Sequence, residues 1–248
     1  MRSAADIKAK ARGLGFEKVG IARAGRAPRA EHLRAWLADG MHGEMAYMAR
    51  SPERREEPDR LLPGARAVVC VARNYQSPGV HSADPRVGRV SRYAWGDDYH
   101  DVLQASLHEL RRYIESLGGA AKVCVDTNAV LEKPWAQAAG LGWQGKNSNI
   151  LSKDLGSWLF VGEVLTDLDL EPDAPHEKNH CGSCHLPDYR GRQQIPRLAS
   201  QREEYLVESM LAYRDNRRTG GDTIMAAALY GASDGDIRAL AHYLARLR

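Results

Sequence analysis

Six consecutive apolar residues, Ala67-Val68-Val69-Cys70-Val71-Ala72, follow the Pro63-Gly64 turn and are rich in β-branched side chains. A run of that length and composition suits a strand buried on both faces, which needs cover on either side of its sheet. Other stretches supply partners. Glu17–Ala22 reads as a short strand after the Gly13/Gly15 break, Ala121–Val125 as another, and Ser157–Leu165 as a further one. Ala4–Leu14 reads as an amphipathic helix, and a helix through His32–Leu37 is closed by Gly40. Met41–Arg50 reads as a second short helix, and the charged, proline-flanked Ser51–Asp59 as an exposed loop. The clearest helix is Asp97–Leu117, with Val102, Leu103, Leu107, Leu110 and Ile114 at helical spacing before Gly118-Gly119. Asp126-Thr127-Asn128 is expected to lead from a strand into a helix over Ala129–Ala139. Helices and strands mix without a regular βαβ beat, so residues 1–178 are expected to form an α+β unit with a mixed or antiparallel sheet.

Leu168–Lys178, with Pro172 and Pro175, reads as a linker, and beyond it the pattern changes. Residues 186–248 hold ten arginines and no lysine, and they show no strand pattern. Helices are expected at Gln201–Asp215, Thr223–Leu229 and Ser233–Leu247, the last opened by Ser233 with Asp236 three residues on, a capping-box arrangement. Residues 181–248 are therefore read as a second, small all-α segment.

Composition narrows the class. Thirty-five basic and 32 acidic side chains are spread along 248 residues, so no basic arm announces nucleic acid. Four cysteines are too few for a disulfide scaffold, and Cys70 and Cys124 lie in apolar runs that suit buried, reduced thiols. Met1–Gly20 contains no signal-type apolar core and no run approaches a membrane span, which sets the expectation of a cytoplasmic chain without a membrane partner.

Three stretches of the first unit carry candidate chemistry. Asp126 sits at a strand end, where a side chain can be fixed against a cleft or can simply cap a helix. Gly140–Asn147 is either a tight turn with a solvated lysine or a place where backbone approaches a large flat ligand. Tyr93, Trp95, Tyr99 and His100 offer flat hydrogen-bonding surfaces, or ordinary packing. Together with Trp36–Met48, Leu61–Arg66, Ser91–His100, Val125–Thr127, Leu131–Lys133 and His180–Cys184, these stretches resemble epoxyqueuosine reductase over about residues 1–184. The resemblance implies a cobalamin-binding, nitroreductase-like fold that reduces epoxyqueuosine to queuosine in tRNA. It implies Asp126 as proton donor to the opening epoxide, with a pKa raised by a shielded site. It also implies Tyr99, His100, Lys133, Lys146, Asn147 and Ser148 as cofactor-binding positions.

The family's cobalamin domain is followed by a module whose eight thiolates hold two iron–sulfur clusters. Here Cys181-x-x-Cys184 begins such a run, but Pro187 and Gly191 stand where the next ligands belong. Turnover is therefore expected to need an external low-potential electron donor, and to be impaired. Read with His185, the same sulfurs form Cys-x-x-Cys-His, the attachment signature of c-type haem. From Cys181 onward the chain resembles a class I cytochrome c, which implies thioether links at Cys181 and Cys184 and axial ligands His185 and Met225. Two departures accompany it. No packing helix precedes the motif, so the helix from Ser233 is expected to lack its usual partner; and His/Met ligation raises the haem potential far above the roughly −400 mV of plant-type ferredoxins, so haem would drain electrons from cobalamin. A haem electron-transfer protein and a hybrid chain with neither activity both remain open alternatives.

Overall fold

A computed structural model describes residues 4–82, 84, 86–126, 128–145, 148–176, 198, 200–215, 217, 229 and 232–246. By internal contacts the chain divides into two units, Met1–Gly142 with Trp158–His176, and Trp143–Ser157 with Glu177–Arg248.

In the first unit, α1 (Ala4–Gly13) precedes β1 (Lys18–Arg23), and three short helices follow, α2 (Ala30–Ala38), α3 (Ala46–Ala49) and α4 (Pro52–Glu56). Then come β2 (Ala67–Asn74), α5 (Tyr99–Ser116), β3 (Ala121–Cys124) and α6 (Glu132–Ala138). The second unit contributes the two-residue strands β4 (Trp143–Gln144) and β5 (Ile150–Leu151), and the chain returns to the first with β6 (Leu159–Thr166). The first unit's sheet runs β1-β2-β6-β3, antiparallel at every pairing, in keeping with the α+β expectation. The apolar run that begins β2 lies in the interior of the sheet, with Ala67–Ala72 all at 0% exposure.

Each face of the sheet is covered, as that run requires. On one face Val69, Val71 and Val164 pack against Ile7 and Ala11 of α1 and Leu103, Leu107, Leu110 and Ile114 of α5. Each large aliphatic chain so buried contributes about 1.5–3 kcal/mol. On the other face the register lines up Gly20, Cys70, Glu163 and Cys124 in a single row across the four strands. Contacts of α6 with β1, β2 and β6 place that helix against the sheet. Gly20 is obligatory for this seat, because a Cβ there would lie 1.9 Å from the Ala139 carbonyl oxygen at the end of α6. Cys70 and Cys124 are buried free thiols; burial raises both, Cys124 to about 12. Glu163 is fully buried, neither of its carboxylate oxygens has a hydrogen-bond partner, and burial holds its pKa well above the usual carboxylate range.

Several boundaries differ from the sequence reading. The helix expected over Met41–Arg50 is only the single turn α3, and Ser51–Asp59 is not an exposed loop but α4 followed by a 3-10 turn at Pro58–Arg60. Glu56 explains the difference: it is 2% exposed, its Oε2 accepts from Arg34 Nη2 at 2.9 Å, and the two side chains form an ion pair. The helix expected from Ala129 starts at Glu132, which leaves Asp126 in a turn instead of at a cap. The supposed linker is packed along the first unit as far as His176. Leu170 is buried, Asp173 and Ile21 exchange N–H···O bonds of 2.8 Å through the Asp173 carboxylate and backbone, and Lys8 pairs with the same carboxylate.

In the second unit the helices Glu203–Arg214 and Asp234–Arg246 pack together around Leu206, Met210, Leu229, Ile237, Ala241 and Leu244. The partner of the last helix is thus Glu203–Arg214, through Leu206 and Met210, and not the helix ahead of the haem motif whose absence was expected. Its capping box forms as expected: Ser233 N–H donates to the Asp236 carboxylate at 3.0 Å and Asp236 N–H to Ser233 Oγ at 3.1 Å. Except for Leu229, the helix expected over Thr223–Leu229 lies outside the described residues. Among the described residues no helix is long and apolar enough to cross a membrane.

The buried Glu163 generates a stability prediction with a defined sign. Its native pKa is raised above the 4.5 of a free glutamate, so its contribution is fully present below pH 4.5 and is lost as pH rises toward the native value. Within that window the loss is about 1.4 kcal/mol per pH unit. The stability of Glu163→Gln relative to wild type should therefore grow steadily from pH 5 to pH 7 in urea titrations followed by tryptophan fluorescence. A difference independent of pH would show that Glu163 is ionised in the folded chain.

Candidate active site

The buried Cys124 and Val125 anchor the end of β3, and the next residue turns outward. Asp126 has φ 44, in the left-handed region that costs a non-glycine residue about 1–2 kcal/mol but that Asp tolerates better than most. Its backbone N–H donates to the Glu132 carboxylate in the first turn of α6. Its side chain meets the start of α5. Tyr99 Oη donates to Asp126 Oδ2 at 2.8 Å, and His100 Nε2 lies 3.0 Å from the same oxygen. The other ring nitrogen of His100 is 2.8 Å from Asp98 Oδ1, which also caps α5 by accepting the His100 N–H at 2.9 Å. Asp98 thus both begins the helix and orients the imidazole toward Asp126.

Electrostatics follow from this order. An imidazole between two carboxylates is favoured in its charged form, and the hydrogen bond to Asp126, then that to Asp98, raises the His100 pKa. Reciprocally, His100 is the largest influence on Asp126 and lowers its pKa, against a smaller opposing effect of burial. The sequence expectation of a raised Asp126 pKa is thus corrected, because the carboxylate side chain is 55% exposed and faces a cation. Burial and Asp126 push Tyr99 up, so it stays a phenol and a donor. The group raised toward neutrality is Glu132, which burial takes to about 7.

A run of aromatic rings borders the acid. Phe160 of β6 stacks on Tyr99 with centroids 4.3 Å apart and planes at 7°, His100 lies over Tyr99 at 4.0 Å, and Tyr75 packs on Phe160 at 4.4 Å. All four rings are half-buried. Arg92 from the long loop after β2 stacks over Trp95 at 4.8 Å and Trp158 at 5.6 Å and donates to the Ser77 carbonyl at 2.7 Å.

Of the sequence-predicted residues, the structure brings together Asp126, Tyr99 and His100, with the exposed Lys133 close enough to lower the Asp126 pKa further. Ser148 belongs to the second unit, at φ 63 in the turn between β4 and β5, where its carbonyl accepts from the Gln144 side chain at 3.3 Å. Lys146 and Asn147 lie outside the described residues, as do Cys181, Cys184, His185 and Met225. Among the described residues no three His, Cys, Asp or Glu side chains gather as a metal site. Sequence reasoning gave no role to Asp98, Glu132 or Phe160. Only Asp98 carried a readable signal, an acid two residues before a histidine at a helix start.

The site predicts a measurable coupling. Replacing His100 with Gln removes the largest influence holding Asp126 down, so the Asp126 carboxyl should titrate at higher pH in carbon-13 NMR. An Asp126 titration unchanged in that variant would mean that the two side chains do not meet in solution.

Comparison with known proteins gives the two parts of the chain separate affinities. The family model described as "Epoxyqueuosine reductase QueG, DUF1730" matches residues 55–127, and the cytochrome c family model matches residues 176–248. A curated epoxyqueuosine reductase of Gloeobacter violaceus is 51% identical over 186 residues, and that of Synechocystis 46% over 157 residues. These alignments cover 73% and 62% of this chain but 57% and 53% of the relatives, so the match spans little more than half of their length. Among solved structures, epoxyqueuosine reductase from Streptococcus thermophilus superposes with TM-score 0.64 at 29% identity, over 75% of this chain and 52% of that one. An epoxyqueuosine reductase solved with an epoxyqueuosine-modified tRNA-Tyr stem loop superposes with TM-score 0.62 at 27% identity, over 82% and 56%. The chain thus joins a segment similar in sequence and fold to the epoxyqueuosine reductases to a segment that matches cytochrome c.

Proposed function

We propose that the first unit performs the chemistry of an epoxyqueuosine reductase, the cobalamin-dependent reduction of epoxyqueuosine to queuosine in tRNA, in the cytoplasm. The observation that carries this reading is the Asp126 carboxylate held between a phenol and an imidazole beside half-buried aromatic rings. The relatives named above support the substrate class. Removing an epoxide oxygen consumes two electrons and two protons, and the bond breaks only as the leaving oxygen is protonated. Asp126 and His100 hold a proton between Oδ2 and Nε2 across 3.0 Å. In the open site the charged pair is favoured. Displacing water with substrate disfavours separated charge, so the proton moves toward Asp126, which passes it to the oxygen; the pair is then reprotonated from solvent, and the second proton follows the same route as the oxygen leaves as water.

The residues present fit a large flat ligand, because Tyr75, Phe160, Tyr99 and His100 form a half-exposed aromatic stack whose edges and end rings offer apolar and hydrogen-bonding contact beside Asp126. Tyr99, His100 and Lys133 would border cobalamin there; Lys146, Asn147 and Ser148 are retained on resemblance alone. When bound, cobalamin supplies the low-potential electrons for the reduction. Iron–sulfur clusters do not fit this chain. Each cubane cluster of the family needs four thiolates, and of the four cysteines here Cys70 and Cys124 are sealed in the sheet with raised pKa. No step is therefore derived through a cluster, and electrons would come from an external low-potential donor, at reduced efficiency.

A second reading has its own support. The cytochrome c match together with Cys181-x-x-Cys184-His185 favours c-type haem, with Met225 as the second axial ligand. An absorption spectrum separates the readings: corrin bands that co-elute with protein after cobalamin is added favour the first, and haem α/β bands after co-expression with maturation factors favour the second.

For the first reading, Asp126→Asn should keep cobalamin co-elution while reduction of epoxyqueuosine-modified tRNA, driven by a chemical reductant, falls by about 10²–10⁴-fold. Unchanged turnover would remove Asp126 from the mechanism, and lost binding would make it structural.

A further inference from the structure

Asp126 presents its carboxylate from a backbone that few residues adopt, and such a conformation persists only where surrounding groups determine it. The group that bonds its amide is Glu132. Glu132 opens α6, which is fixed on the sheet by Trp135 and Ala139, each 2% exposed, and by the fully buried Ala136. The turn that presents Asp126 is thus closed by a carboxylate carried on a rigid element. We propose that Glu132 is a positioning residue: by accepting the Asp126 backbone N–H it holds Asp126 at φ 44 and keeps its carboxylate between Tyr99 and His100. The catalytic meaning of this anchor rests on the reading of Asp126 as proton donor, whereas the anchor itself does not.

The anchor is also sensitive to pH near neutrality. Burial raises Glu132 to about 7, and the charge of Asp126 adds to that effect; the Asp126 N–H, Lys133 and His100 oppose it. The other titratable groups around it are Tyr99 of α5, Glu163 of β6, Cys70 of β2 and Cys124 of β3, while β1 carries Lys18 on the same face of the sheet as Gly20. Above about pH 7 the ionised carboxylate accepts the amide in a charge-assisted bond, roughly twice as strong as a neutral one; below it the neutral acid holds the turn less firmly.

Glu132→Gln, of nearly the same size and shape, tests this without turnover. In wild type the Asp126 amide proton should move downfield as pH rises through about 7. In Glu132→Gln that step should vanish and leave only the step of His100; in His100→Gln it should persist. At pH 8 the Asp126 amide of Glu132→Gln should exchange with solvent about tenfold faster than in wild type, and kcat should fall by about the same factor with KM unchanged. Identical amide titrations in wild type and Glu132→Gln would overturn the proposal, as would a wild-type step lost in His100→Gln. If the amide responds as expected while Asp126→Asn turns over normally, the anchor stands and the functional reading fails.

Discussion

The close approach of α6 to the sheet at Gly20 is the contact on which the first unit depends. With no side chain at that point, the Ala139 carbonyl comes against β1, and α6 can lie flat along the row of Cys70, Glu163 and Cys124. The same seat fixes the first turn of α6, where Glu132 reaches the Asp126 amide. A helix lifted by one methyl group would uncover the row, admit water to Glu163, and carry Glu132 away from the turn. The geometry of an exposed acid is in this way set by a missing atom on the far side of a helix.

Much of this architecture was legible because burial writes itself into sequence. The β2 run, the spacing of Leu103, Leu107, Leu110 and Ile114, and the apolar β6 are the signatures of elements whose side chains have one place to go. Where polar residues are buried the sequence misleads. Glu56 made its segment look solvated, because nothing local shows that Arg34, 22 residues away, will pair with it. The start of α6 was misplaced for a related reason: Asn128 and Ala129 could extend a helix, but the pull of Glu132 on the Asp126 amide makes them part of a turn. The site was partly legible. Asp126 and Tyr99 could each be singled out from local pattern, but 27 residues apart they were joined in one site only through resemblance, and the direction of the Asp126 pKa differs from expectation because the cation opposite it is not visible in sequence.

The electrostatic design differs from a simple shielded acid. In the proposed mechanism the proton that Asp126 delivers rests on His100, whose ring Asp98 keeps aligned. Two other carboxyls of the first unit, Glu132 in the first turn of α6 and Glu163 in the sheet, are shifted upward by burial. These three carboxyls are thus graded by depth, from the low Asp126 at the rim to the high Glu163 in the sheet.

The bonds between Asp173 and Ile21 carry a consequence for how the two matched segments can share one chain. β1 is an outer strand, and such a strand offers unpaired amides and carbonyls to any other strand in solution. The Asp173 carboxylate takes the Ile21 amide, the Asp173 amide takes the Ile21 carbonyl, and Lys8 places a charge beside them. Residues 168–176 thus blunt the sheet's open margin against edge-to-edge aggregation. A foreign sequence grafted upstream of Asp173 would strip that guard, whereas one grafted after His176 leaves it in place, and the cytochrome c match begins at residue 176.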